Sequence, residues 1–227
     1  MAVARILQTV SVTEALLDSL RADILDGVLA PDESLTETDV STRYGVSRPT
    51  ARAVINQLVQ VGLLRRPAHR PAHVPVLTRS DVEDLFLVRL PLELEAVRLV
   101  SGRRSVPAEA ARAVTDVRDI DPDAPHSAFV EADLRFHRAL VDSVGSPRLS
   151  EHYARLGGEI HLCMVQSRGL LGSARIADEH QDILAALERA TPAIAVRLMR
   201  AHLLGARDLL AESASETGEF ERRGHTS

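Results

Sequence analysis

A mainly α-helical chain in two parts is what the sequence predicts, on three observations. Hydrophobic residues make up 45% of the 227 residues and aromatics only 3%. A core of Leu, Val, Ile and Ala favours packed helices over strands, which draw on aromatic and β-branched residues. Apolar residues recur at helical spacing along most of the chain, and the prolines that forbid a helix cluster in one segment, at 67, 71 and 75. The length suits one large domain or two smaller ones.

The first part reads in order as three helices and an extended segment. From Val12 to Gly27, Leu16, Leu20 and Ile24 form a helical stripe (Leu17 and Leu25 beside them), with Gly27 as C-cap and Pro31 as stop. Thr36 or Thr38 caps a short second helix through Asp39, Val40 and Arg43, ending at Tyr44-Gly45. Ser47 caps the third and Pro49 falls in its first turn. Val54, Leu58 and Val61 then put one apolar stripe on its inner face. Arg65 to Thr78 turns extended, with Val74, Val76 and Leu77 suited to a short strand. Three helices followed by a basic hairpin outline a winged helix-turn-helix over 12–77.

Charge supports that outline. The chain carries a net −5, yet Ser41 to Ser80 holds seven Arg and no Asp or Glu. A basic segment inside an acidic protein is the footprint of a DNA-contacting module on a larger body. Ser47, Arg48, Thr50 and Arg52 gather at the start of the third helix, where a helix entering the major groove meets bases and phosphates. Two guanidiniums flanking two hydroxyls suit guanine contacts and phosphate anchoring. An ordinary capped helix with a solvated basic end would read the same way. All 27 basic residues are Arg, which carries no functional reading.

Thr78 to Asp81 reads as a linker, with Ser80 and Glu83 as a capping box for the first helix of the second part. Helices are expected over 81–102, with Pro91 as a kink or break, and over 107–119, 127–144, 147–168, 174–188 and 191–212. Together they make a six- or seven-helix antiparallel bundle over 82–212, and bundles place ligand sites between facing helices. Residues 1–11 suggest a loose arm and 213–227 a polar, disordered tail. No run of about 18 apolar residues exists to span a membrane, and the N-terminus has no signal-peptide apolar region. A single cysteine, Cys163, fits a reducing cytoplasm.

Asp133 and His137 stand four apart, so their side chains share one helix face. With His180 and His202 on two further helices, one carboxylate and three imidazoles can close around a divalent metal and leave positions open for a ligand. Each is equally what an ordinary polar helix residue looks like.

The stretch Leu20-Arg21-Ala22-Asp23-Ile24-Leu25-Asp26-Gly27, with Leu29-Ala30-Pro31 and Leu35-Thr36-Glu37, resembles the start of a GntR-family DNA-binding domain. Tyr44-Gly45-Val46-Ser47-Arg48-Pro49-Thr50-Ala51-Arg52, with Leu58 and Gly62-Leu63-Leu64, continues the likeness, which covers about 12–76. It implies that Ser47, Arg48, Thr50 and Arg52 touch an operator. It also makes the Arg66 to His73 hairpin the wing, which brings in Arg66 and Arg70. Asp32 stands where the family usually has a turn glycine, and the wing lacks the usual glycines.

Asp133-Leu134-Arg135-Phe136-His137-Arg138-Ala139-Leu140, Gly145-Ser146-Pro147-Arg148-Leu149, the run from Glu179-His180 to Ala186-Leu187, and Met199 with His202-Leu203 resemble the effector domain of the FadR subfamily, over about 81–212. That likeness implies that Asp133, His137, His180 and His202 hold zinc, nickel or a similar divalent metal ion. The implied effector is a small organic acid. Arg89 could fork onto its carboxylate or serve an interhelical salt bridge, and Gln166 and Ser167 could line the pocket. Glu179 is expected as a cap or a solvated charge. The implied function is a ligand-responsive transcription regulator, in the usual case a repressor, binding palindromic double-stranded DNA as a homodimer with no membrane partner. A metal-free acyl-coenzyme A sensor of the same subfamily is one alternative. A metal-dependent hydrolase is another, against which no His-Glu-x-x-His pattern pairs ligands with an evident base.

Overall fold

The computed structural model describes residues 11–103, 106–121, 123–167, 172–189 and 191–224, with side chains of the last helix as far as 214. Of the arm expected at 1–11, residues 1–10 lie outside the described residues, as do the final residues 225–227, and Ser11 is an ordered helix cap. The chain divides into two units between Pro75 and Val76.

In the first unit α1 (Val12–Leu25) starts at a capping box in which Ser11 and Glu14 exchange side-chain and backbone hydrogen bonds. Its Leu16, Leu20 and Ile24 are buried at successive turns. β1 (Ser34–Leu35) leads to α2 (Glu37–Tyr44), capped by Thr36 with Asp39 as reciprocal partner. Gly45 then takes the left-handed conformation, φ 65°, and turns the chain into α3 (Arg48–Gln60). Nothing lies within 4 Å of the position a Cβ would take there. The cost of a side chain is therefore purely backbone strain, and Gly45→Ala should lower unfolding free energy by about 1–2 kcal/mol in urea denaturation.

The buried stripe of α3 is Ala51, Val54, Ile55 and Leu58, one turn earlier than the sequence pattern places it. Val61 is only half-buried, at the C-cap.

The expected strand at 74–77 is also displaced. β2 covers only Ala72–His73, pairing antiparallel with β1 so that Ser34 faces His73 and Leu35 faces Ala72. His73 also exchanges both backbone hydrogen bonds with Arg65, 2.9 Å each, closing the loop between them. Val74 still pairs by its backbone, donating to Glu33 O at 3.1 Å and accepting from Asp32 N at 2.8 Å, and its side chain is buried, as is that of Leu77. Two non-glycine residues take the left-handed conformation among the described residues, one at the expected turn-glycine position and one in the wing. Asp32 has φ 63° and His69 φ 61°, each at the third position of a turn closed by a backbone bond, Glu33 N to Ala30 O and Arg70 N to Pro67 O. Pro31 at the second position of the first turn is the type II preference, and Asp tolerates the left-handed region better than most side chains.

In the second unit the sequence places a linker at 78–81, but helix α4 (Arg79–Ser101) begins there. Thr78 is its N-cap and Asp81 completes the capping box, in place of Ser80 and Glu83, because the helix starts two residues earlier than expected. α4 runs through Pro91 without a break; the proline lacks the N–H that would bond Leu87 C=O. Next come α5 (Ala108–Arg118), α6 (His126–Asp142), α7 (Pro147–Gln166), α8 (Ser173–Glu188) and α9 (Pro192–Gly224). Helix α4 packs chiefly on α9, α5 on α6 and α8, and α6 on α7. The backbone of α9 stays helical through the segment read as a disordered tail from 213. Its Ala and Glu residues favour helix, and no proline interrupts it.

Candidate functional site

The start of α3 gathers the residues expected to read DNA. Ser47 Oγ accepts from Thr50 N, and the two hydroxyls lie 2.8 Å apart. Arg48 is exposed and has no ion-pair partner among the described residues. Arg52 is exposed but engaged: its Nε and Nη2 donate to Glu37 Oε1 and Oε2 at 2.7 and 2.9 Å. On the wing, Arg66 Nη1 donates to Asn56 Oδ1 on α3 at 2.9 Å, and Arg70 is exposed at the end of the turn. Sequence reading missed Glu37. It saw an acid-free segment, but the acid arrives from α2, fifteen residues away.

The second unit brings Asp133 and His137 of α6, His180 of α8 and His202 of α9 together, with all four candidate ligand atoms within 4.8 Å of one another. Their exposures are 0–6%. His202 Nε2 lies 3.2 Å from the Nε2 of both His137 and His180. Asp133 Oδ1 is 3.6 Å from His180 Nε2, and its Oδ2 is 3.8 Å from His137 Nε2. Atoms bound about 2.0–2.1 Å from one ion stand roughly 3–3.4 Å apart.

The outer ring nitrogens decide the chemistry. His137 Nδ1 meets Glu93 Oε2 at 2.5 Å, and His202 Nδ1 meets Glu179 Oε2 at 2.8 Å. A neutral imidazole donating from Nδ1 has only a lone pair at Nε2. When both rings are neutral and donate from Nδ1, their Nε2 atoms, 3.2 Å apart, turn lone pairs toward each other, an arrangement that a cation between them stabilises. Burial holds the pKa of His137 below its ordinary value despite Glu93; burial, with the repulsion that a charged His202 or His137 would add and that of Arg89, does so more strongly for His180. Neutral imidazoles are the ligating form. His180 Nδ1 is buried with no hydrogen-bond partner among the described residues, and its ring stacks on Phe136 at 3.6 Å.

Sequence reading missed the carboxylates behind the cluster. Glu93 on α4 accepts from Arg89 Nε at 2.5 Å and from Tyr153 Oη at 2.9 Å as well as facing His137. Burial pushes its carboxyl up, but Arg89 and His137 outweigh that and hold it far below the usual range. An Arg-x-x-x-Glu pair within the otherwise apolar run from Leu85 to Leu94 was the available signal. Glu179, expected to be a cap or solvated charge, does point away from His180, but toward His202. The hydrogen bond from His202, with help from Arg175, holds its carboxyl down at about 2.

A small cavity is lined by Arg89, Asp133, His137, Met164, Ile176 and His202 among others, with room for about one water. Arg89 is 2% exposed and spends Nε on Glu93. Its ion pair is buried and lies within α4, not on the surface or between helices as expected, and its side chain also lines the cavity. Gln166 is not among the cavity residues; its Oε1 accepts from Leu77 N at 3.2 Å. Ser167 is buried just beyond α7 and is likewise absent from that lining.

Comparison with known proteins covers both units. Residues 12–74 match the family described as bacterial regulatory proteins, gntR family, and residues 84–205 match the FCD domain. An uncharacterised HTH-type transcriptional regulator of Paraburkholderia xenovorans, BphR, is 33% identical over 60% of this chain and 59% of its own length. The HTH-type transcriptional repressor GlaR of Escherichia coli K12 is 29% identical over 82% of this chain and 89% of its own. A solved transcriptional regulator of Rhodococcus sp. RHA1 shares the fold, with a TM-score of 0.73 at 23% identity, covering 87% of this chain and 96% of that one.

Proposed function

Because the chain belongs to the GntR family of bacterial regulatory proteins and carries an FCD domain, making it a transcription regulator and not an enzyme, we propose that it is a metal-containing, acid-responsive repressor. GntR regulators bind operator DNA and small-molecule effectors. The finer reading is that Asp133, His137, His180 and His202 hold one divalent ion, zinc or nickel, and that a small organic acid is the effector. The observation that carries this is the 3.2 Å approach of the buried His137 and His202 Nε2 atoms, each ring held from its far side by a carboxylate. When bound, the ion supplies a Lewis-acid site for an oxygen of the effector. Arg89, at the cavity wall beside the cluster, offers its Nη donors to the acid's carboxylate.

Repression relieved by the acid is the proposed sense of regulation, by analogy with GlaR, a repressor by name. A homodimer would place two α3 helices about one DNA turn apart on a palindrome. No helix among the described residues is long and apolar enough to cross a membrane; a cytoplasmic location is part of the proposal.

The test is elemental analysis of protein purified without an affinity tag, followed by thermal melts with small carboxylic acids. About one zinc or nickel per chain, and a Tm raised by an acid only when the ion is present, are expected. No retained ion after incubation with either metal overturns the metal reading in favour of the metal-free sensor.

A further inference from the structure

Arg48 and Arg52 have equal standing at the start of α3 in the sequence; the structure separates them. A guanidinium carries five N–H donors in one plane. Arg52 turns its side edge, Nε and Nη2, onto the Glu37 carboxylate at 2.7 and 2.9 Å. Its end edge, formed by Nη1 and the remaining Nη2 hydrogen, makes no hydrogen bond among the described residues. That edge matches the O6 and N7 acceptors that guanine shows in the major groove. Arg48, one turn nearer the helix start, has no such clamp, and Arg66 is tied to Asn56 instead. A carboxylate at a surface meant for phosphates works against affinity, so its presence calls for a compensating role. The guanidinium of Arg52, followed by Arg66 and Arg48, holds the Glu37 carboxyl below its ordinary value and keeps it ionised there.

We infer that Glu37 is a specificity-determining positioning residue. It holds Arg52 end-on to a guanine in each operator half-site, while Arg48 serves the phosphate backbone. This rests on the operator-binding reading above, and the experiment separates the two.

Duplexes are selected from a randomised DNA library with the parent, Glu37→Ala, Glu37→Gln, Arg52→Lys and Arg48→Ala proteins. The parent should select a site with one strongly specified guanine per half-site. Glu37→Ala and Arg52→Lys should lose about tenfold or more discrimination at that position and leave the others intact. Glu37→Ala should also bind unrelated duplex more tightly, since one negative charge is gone. Arg48→Ala should weaken binding to all sequences alike and lower the salt slope by about 1.

A merely structural Glu37 would reduce affinity evenly and leave base preference untouched, so identical preferences in the parent and both Glu37 variants overturn the proposal. If Glu37→Ala does not fold by circular dichroism, Glu37→Gln and Arg52→Lys decide in the same assay, because the first is isosteric, the second keeps the charge and the aliphatic stem, and each breaks the bidentate pair. A parent that enriches no sequence overturns operator reading itself, and the role of Glu37 with it.

Discussion

His202→Ala is expected to lower metal affinity on the order of a hundredfold or more while leaving the second unit folded. The free energy of a four-ligand zinc site, about 10–16 kcal/mol, shared over its ligands gives roughly 2.5–4 kcal/mol for one of them. His202 is the informative choice because of what its removal leaves behind. Its partner Glu179 is 30% exposed and keeps the ion pair with Arg175 at 2.7 Å, so no charge is stranded. Competition with a chromophoric chelator measures the affinity. The parent should lose Tm on chelation, since an ion at 100 times its Kd contributes about 2.7 kcal/mol, and the variant should not. An unchanged affinity would remove His202 from the ligand set.

Glu93→Ala should be the most destabilising single change at the site. It leaves the Arg89 guanidinium, 2% exposed, without its carboxylate, and it also strips the acceptor from Tyr153 Oη and His137 Nδ1. Breaking a buried pair in this way costs about 3–5 kcal/mol, a large part of a total near 5–15. Urea denaturation of the metal-free proteins isolates the effect from ion binding. Replacing both partners, as Arg89→Met with Glu93→Leu, should recover most of the loss, because the uncompensated charge is gone.

The pH dependence has a definite sign. A carboxyl held below its ordinary 4.5 contributes stability that is full above that pH and lost as pH falls. Glu93→Ala should therefore flatten the acid limb of the stability profile. A cost under about 1 kcal/mol would mean that water reaches Arg89.

Whatever depends on neighbours along the chain could be read from it. Asp133 and His137 share a face because four residues make about one turn, and Ser47 with Pro49 announces a helix start by local chemistry alone. The long-range contacts of Glu93, Tyr153 and Glu37 were invisible for the opposite reason. Their partners lie 44, 60 and 15 residues away, and helical period says which way a side chain faces but not what it faces.

Gln166 shows the same limit, since the phase of α7 at its last turn sends it to Leu77 and not to the cavity. The displaced cap at Thr78 has a different origin. Thr78 with Asp81 and Ser80 with Glu83 are both legitimate capping boxes, and only the packing of α4 chooses between them.

The burial of the four-residue cluster has a kinetic consequence. An ion held by side chains only 0–6% exposed, contributed by three different helices, is reached through a cavity with room for about one water, too narrow for a chelator while α6, α8 and α9 stay packed. Its release must wait for the bundle to open locally. Under excess chelator the rate of loss should therefore plateau, independent of chelator concentration, at the opening rate of those helices. The ion then acts as a clock on the breathing of the domain, and any acid that tightens the bundle would slow it.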